Sequence, residues 1–221
     1  CFEKGTSFEP EETELRFCEE IIEGIKLRGI IDRVDFYGHE MFRIIDYKSS
    51  VHSLSESKIK AGVQLQLLSY AVIAEKMTGK SPAGAYYCSL KQETIDTIAR
   101  KKNRKEIIET EFNKEAEEQR MMDSRQLIGW TFTDRITELD ETGKNIATLK
   151  KQRDFELIKE CIYEIYTLFK NRLLNGDISL SPDEEACKFC DYKSICRFHG
   201  EYRKITPLVC KDEKFSIGKD E

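Results

Sequence analysis

The feature that most constrains this chain is a pair of short alternating stretches whose apolar stripes carry carboxylates. Residues 25–36, Ile-Lys-Leu-Arg-Gly-Ile-Ile-Asp-Arg-Val-Asp-Phe, alternate over most of their length; Tyr37-Gly38-His39-Glu40 interrupts them, and Met41-Phe-Arg-Ile-Ile-Asp-Tyr-Lys48 resumes the pattern. This is the signature of a β-hairpin. Side chains alternate along a strand, so Ile30, Asp32, Val34 and Phe36 share one face of the first strand, and Phe42, Ile44, Asp46 and Lys48 share one face of the second. A three-residue loop, Gly38 to Glu40, sets Asp32 opposite Asp46, whereas a two- or four-residue loop sets Ile45 there instead. Opposed Cβ atoms lie about 4.5–5.5 Å apart, where like charges repel. Two carboxylates on an apolar face therefore call for a cation, and a hard divalent ion would supply more charge than Lys48 alone. The plainer arrangement has both Asp side chains facing solvent or paired with Arg33, Arg43 or Lys48; the grouping of all three residues favours a site.

Beyond the hairpin, Ile59, Val63, Leu67, Tyr70 and Ala74 recur at steps of three and four and predict a helix over 58–77, ended by Gly79 and Pro82. Residues 83–90 follow as a strand reached by a crossover, which places the helix on one face of a mixed sheet. Residues 91–125 are dominated by Lys, Arg and Glu and read as an exposed insertion, with Arg100 to Lys105 a solvated basic run. Leu127 to Phe132 reads as a strand in which Trp130 packs. The amphipathic pattern over 154–174, closed by Asn175-Gly176, is the clearest helix.

Gly29-Ile-Ile-Asp32-Arg-Val-Asp35, Asp46-Tyr-Lys48 and Gln66-Leu-Leu-Ser-Tyr70 resemble the G-x-x-D-R-x-D, D-Y-K and Q-x-x-x-Y series of RecB-type nucleases in the PD-(D/E)xK superfamily. Within it, the chain is most similar to the C-terminal nuclease domain of the AddB (RexB) subunits of bacterial helicase–nucleases. The resemblance implies a restriction-endonuclease-like α/β fold, a mixed central sheet flanked by helices. It implies Mg²⁺ or Mn²⁺ held by Asp32, Asp46 and the backbone carbonyl of Tyr47, with Lys48 orienting or deprotonating the attacking water. It further implies that Gln66 and Tyr70, neighbours on one helix face, reach toward the metal or the DNA backbone, with Gln64 the alternative to Gln66. Members often carry a His or Glu ligand ahead of the first strand; Glu11, Glu12, Glu14, Glu19 and Glu20 stand in that region without a recognisable motif.

Cys187, Cys190 and Cys196 give C-x2-C-x5-C, a spacing suited to zinc or an iron–sulfur cluster and short of one ligand. In AddB-like nucleases the same triplet closes a [4Fe–4S] cluster whose fourth cysteine lies upstream, and Cys1 is the candidate here by placement. Cys18, Cys88, Cys161 and Cys210 read as buried or incidental thiols. His39, His52 and His199 share no spacing that marks a site.

At 221 residues we expect one domain spanning 1–221, with an insertion over 91–150 and a cysteine segment over 182–200, and the initial Cys1 suggests a piece of a longer polypeptide. The net charge of −5 argues against DNA binding by bulk electrostatics. With no bilayer-length apolar run, the expected setting is the cytoplasm. The expected activity is metal-dependent hydrolysis of DNA, exonucleolytic and on single strands delivered by an AddA-like helicase partner in break repair and recombination; no P-loop is present to hydrolyse ATP. Two alternatives remain: a non-catalytic DNA-binding scaffold of the same fold, and a stand-alone RecB-like nuclease of a CRISPR-type system.

Overall fold

The computed structural model describes residues 8–50, 52–90, 127–133, 152–182, 184–188, 190–211 and 213–216. Five strands form one sheet in sequence order: β1 (Glu9–Ile22), β2 (Ile25–Tyr37), β3 (Met41–Lys48), β4 (Ser81–Ser89) and β5 (Leu127–Thr131). Neighbours are antiparallel except β3 and β4, which run parallel. A parallel pair needs a crossover, and α1 (Glu56–Lys60) with α2 (Gln66–Thr78) provides it. After β5 come α3 (Phe155–Leu174) and the short α4 (Glu184–Lys188) and α5 (Lys193–Cys196). The mixed sheet with flanking helices is the expected fold class.

The two sheet faces are covered differently. Val34, Ile44, Ala85 and Tyr87 lie in one core with Leu68 and Ala71 of α2 and Ile158, Ile162 and Ile165 of α3. Ile45, Tyr86, Cys88 and Leu127 point the other way, into a second cluster with Phe8. Trp130 is buried in the larger core, edge-on to Phe215 at 5.9 Å, so its role is packing as expected. Helix α3 starts where Asp154 accepts a hydrogen bond from the Leu157 N–H at 3.2 Å, an N-cap that satisfies one open donor of the first turn.

Three departures from expectation have physical causes. The helix over 58–77 is two helices, because the chain turns at Gly62 with φ +74, a conformation that costs glycine little, and the Gly62 N–H closes a tight turn on the Ile59 carbonyl. Ile30 is 41% exposed, and its neighbour Ile31 lies instead in the core with Val34, so the alternation of β2 breaks between residues 31 and 34, at the level where Glu14 of β1 has φ +53. Strand β1 has no counterpart in the sequence pattern: six of its residues are Glu, a poor strand former, and its first half is solvent-exposed. Strand β5 falls within the 91–150 span and pairs with β4; the rest of that span, including Arg100 to Lys105, lies outside the described residues except for 132 and 133, as does Cys1. Among the described residues, no helix is long and apolar enough to cross a membrane.

Candidate active site

The turn between β2 and β3 has the three-residue length that sets the expected pairing. The ladder runs from Tyr37 opposite Met41 to Arg33 opposite Ile45, and the next step in that register brings Asp32 to the level of Asp46. There the backbone ladder stops, and the Tyr47 N–H donates instead to Asp32 Oδ2 at 2.8 Å. The half-buried Asp32 carboxylate thus lies beside the peptide that joins Asp46 to Tyr47.

Asp46 is buried, at 4% exposure, and its Oδ2 is 2.6 Å from Lys48 Nζ. No donor is aligned on that buried oxygen as a regular hydrogen bond. Burial pushes the Asp46 carboxyl above the usual range; Lys48 pulls it back, Asp32 pushes it up again, His52 pulls it down, and the net direction is upward. Lys48, half-buried, points along the same face as Asp46. Lys48 thus brings one positive charge to a pair of carboxylates.

The parallel partner strand adds residues that the sequence does not single out. Tyr87 sits opposite Asp46 on β4 and is buried. Its phenol is pushed up to about 12 by burial and by the charge on Asp46, against a hydrogen bond with Gln64. Gln64, in the break between α1 and α2, also accepts from the Ser55 N–H at 2.9 Å and donates to the Ser53 carbonyl at 2.8 Å. It therefore ties the segment after β3 to the floor of the site. His52 lies at the rim, its ring centroid 5.8 Å from that of Tyr87. Neither Tyr87 nor His52 carries a spacing signal; the parallel pairing of β3 with β4 brings in Tyr87, and the segment after β3 lays His52 against it.

Gln66 opens α2, exposed, with its Nε2 3.4 Å from the Tyr70 hydroxyl, so the expected pair does share a helix face. Tyr70 is turned onto β2: its ring meets Phe17 edge-on at 5.2 Å. A Cβ at Gly29 would lie 2.8 Å from both the Tyr70 hydroxyl and the Phe17 ring. Gly29 is thus the gap that lets Tyr70 approach the strand carrying Asp32. Of the five Glu residues considered upstream, Glu14 interrupts the β1–β2 pairing between Thr13 opposite Arg33 and Leu15 opposite Ile31, which is the level of Asp32, and it does so with φ +53.

The other face of the hairpin is also charged. Asp35, fully buried, takes the Arg33 Nε at 2.5 Å and the Arg43 Nε at 2.9 Å, and the Arg43 guanidinium stacks 4.5 Å from the Phe8 ring centroid. Arg33 and Arg43 thus pair with Asp35 and not with the site carboxylates. Burial opposes the charge on Arg33, and the interactions with Asp35 first and Tyr47 second more than offset that, so its pKa is raised.

Cys187 is half-buried, and Cys190 and Cys196 are exposed. Among the described residues, no three His, Cys, Asp or Glu side chains converge on a point that could hold a metal ion. Cys88 and Cys161 are buried, as expected of incidental thiols, Cys210 is half-buried, and Cys18 is exposed.

The sequence profile of the PD-(D/E)XK nuclease superfamily matches residues 2–197. The B-type component of the ATP-dependent helicase/deoxyribonuclease of Caldanaerobacter subterraneus subsp. tengcongensis is 33% identical over 90% of this chain and 19% of its own length. The proteins of the same name from Listeria monocytogenes and Geobacillus kaustophilus are 29% and 28% identical, over 78% and 89% of this chain and 17% and 20% of their own lengths. The chain therefore spans about a fifth of the length of the curated relatives it matches.

Proposed function

This chain belongs to the PD-(D/E)XK nuclease superfamily, and on that premise we propose that it hydrolyses DNA phosphodiester bonds with a divalent cation at Asp32 and Asp46. The observation that supports this most is the contact between Asp32 and the Tyr47 N–H, which sets both carboxylates and Lys48 around one short stretch of backbone.

The residues fit such an ion. Two carboxylates and the Tyr47 carbonyl are hard oxygen donors, an Mg²⁺ or Mn²⁺ ion commonly completes its shell with water, and Asp46 has a buried oxygen without an aligned donor. When bound, the ion lowers the pKa of a water and offsets the charge that develops on phosphate. Lys48 contributes a positive point charge beside Asp46, suited to orienting the attacking water and to neutralising the transition state. Gln66, exposed at the start of α2, offers an amide to the DNA backbone, and Tyr70 holds it. Tyr87, buried on the neighbouring strand, lies opposite Asp46.

By analogy with relatives named as ATP-dependent helicase/deoxyribonuclease subunits, the reading extends to a single-strand exonuclease, a domain of a longer chain, working beside an AddA-like helicase in break repair in the cytoplasm. The Cys187, Cys190 and Cys196 spacing supports a [4Fe–4S] cluster completed from upstream; their side chains are not gathered for ligation among the described residues, and no step depends on it. The absorption spectrum of anaerobically purified protein tests the cluster, and a colourless zinc protein would end that part of the proposal.

The deciding experiment compares the parent with Asp46→Ala on labelled single- and double-stranded DNA across Mg²⁺ and Mn²⁺ concentrations. Cleavage by the parent alone is expected. A parent that cuts nothing, or a variant that cuts equally well, leaves the scaffold reading in its place.

A further inference from the structure

We infer that His52 is a further substrate-binding residue of this site: its ring, seated on Tyr87 beside Lys48, offers Nε2 to the phosphate flanking the scissile one. The inference rests on the proposed function and adds a contact that neither holds the metal nor touches the reacting atoms.

One aromatic ring carries both nitrogen-bearing side chains. Tyr87 lies opposite Asp46 on the parallel partner strand and is 6% exposed, so it forms a fixed platform. Lys48 Nζ lies 5.8 Å from the centre of that ring, and the exposed His52 ring has its centroid 5.8 Å away, tilted by 55°. Lys48 is already paired with Asp46 at 2.6 Å, and Arg33 and Arg43 are committed to Asp35. The chain carries a net charge of −5, so drawing a polyanion to two carboxylates calls for a further local cation. His52 stands where one is needed.

The segment that carries His52 is tied down on both sides of it. Gln64 accepts from the Ser55 N–H at 2.9 Å and donates to the Ser53 carbonyl at 2.8 Å. His52 Nδ1 lies 2.9 Å from the Ser50 carbonyl and 3.4 Å from the Ser50 hydroxyl. A carbonyl can only accept, so Nδ1 carries a proton, and Nε2 becomes a donor when the ring takes up a second one. Nε2 has no hydrogen-bond partner among the described residues. The protonated ring thus presents one charged N–H outward, and such a donor makes a strong bond to a phosphate oxygen. The groups that surround it are Asp46 and Lys48 on β3 and the Tyr87 phenol on β4, with the uncharged Gln64 beyond; Asp46 favours a positive charge there and Lys48 opposes it.

Steady-state cleavage of a labelled single-stranded oligonucleotide in Mg²⁺ tests this on the parent, His52→Ala and Asp46→Ala, with Mn²⁺ binding measured by calorimetry without DNA. His52 is exposed, so His52→Ala keeps the core and folds. At about pH 6 it is expected to raise KM about 10-fold, within what one charge-assisted hydrogen bond contributes, and to leave kcat and the Mn²⁺ affinity as in the parent. The parent's advantage is expected to shrink below about 2-fold at about pH 8.5, where imidazoles are neutral. An unchanged KM, a ratio that does not move with pH, or a loss of kcat in place of KM overturns the contact. Weakened Mn²⁺ binding also overturns it, since His52 would then act at the metal. In each of these cases the proposed function stands as long as the parent cuts and Asp46→Ala does not. A parent that cuts nothing overturns both.

Discussion

The Tyr47 N–H donates to Asp32 Oδ2 at 2.8 Å, just past the last backbone rung between β2 and β3, Arg33 opposite Ile45. A carboxylate thus takes the place of a strand carbonyl at the point where the strands part. The two acidic residues of the site are linked through covalent backbone on one side and a hydrogen bond on the other, so displacement of either moves both.

Asp46 is held in a state that opposes its ionisation. Its carboxyl is raised by burial first and by Asp32 among its neighbours, so the folded chain without metal binds this proton more tightly than the unfolded chain. That stability is fully present below the unfolded carboxylate range and is lost as pH rises through the raised folded value. Asp46→Asn is therefore expected to raise the melting temperature at neutral pH in EDTA by roughly 2–4 °C, the shift that about 1 kcal/mol gives in a chain of this size. Mg²⁺ should then stabilise the parent and not the variant. Scanning calorimetry at pH 5 and pH 7.5 checks both, and a variant less stable than the parent in EDTA would falsify the assignment.

Gly29→Ala is expected to destabilise by about 1–3 kcal/mol, since the new methyl meets the Phe17 ring and the Tyr70 hydroxyl at once. Adding Tyr70→Phe should recover part of that loss, because it removes one of the two obstructions. Urea unfolding of the four proteins in a double-mutant cycle measures the coupling.

Asp35→Ala leaves two buried guanidinium groups without their shared anion, and a loss of about 3–5 kcal/mol is expected. Replacing Arg33, Asp35 and Arg43 together by Met, Leu and Met should cost much less, since no charge then remains buried. Chemical denaturation distinguishes the two; equal losses would mean that packing, not charge, holds this face.

Gln64→Ala strips partners from the Ser55 N–H and the Ser53 carbonyl. Faster protease cleavage within 50–55 is expected, with a melting temperature lowered by only a few degrees, since each lost hydrogen bond contributes about 1 kcal/mol. Limited proteolysis followed by mass spectrometry reads it directly.

Local pattern carries the hairpin well, because a period of two and a three-residue turn leave few registers. The same logic places α3, where apolar spacing and an Asp cap agree. Strand β1 escapes it because its period-two signal at Leu15 and Phe17 is diluted by Glu residues that face solvent. The break at Gly62 is hidden under apolar spacing that continues across it, since α1 and α2 bury the same side. Tyr87 is out of reach for another reason: its place beside Asp46 depends on a crossover whose register no local spacing encodes. The buried pairing of Asp35 with Arg33 and Arg43 is obscured because charged residues at alternate strand positions read as a solvent-facing stripe.

Charges stand on both sides of one short ribbon, Asp46 and Lys48 on the helix-covered face and Asp35 with its two arginines behind. A slip of one residue between β2 and β3 would exchange those faces, driving Arg43 into the apolar layer beneath α2 and turning the site carboxylate away from it. Neither misalignment could find the partners that the native pairing gives. The acidic and basic residues therefore also act as proofreaders of folding, making the alignment that assembles the site the only one in which the hairpin can be buried.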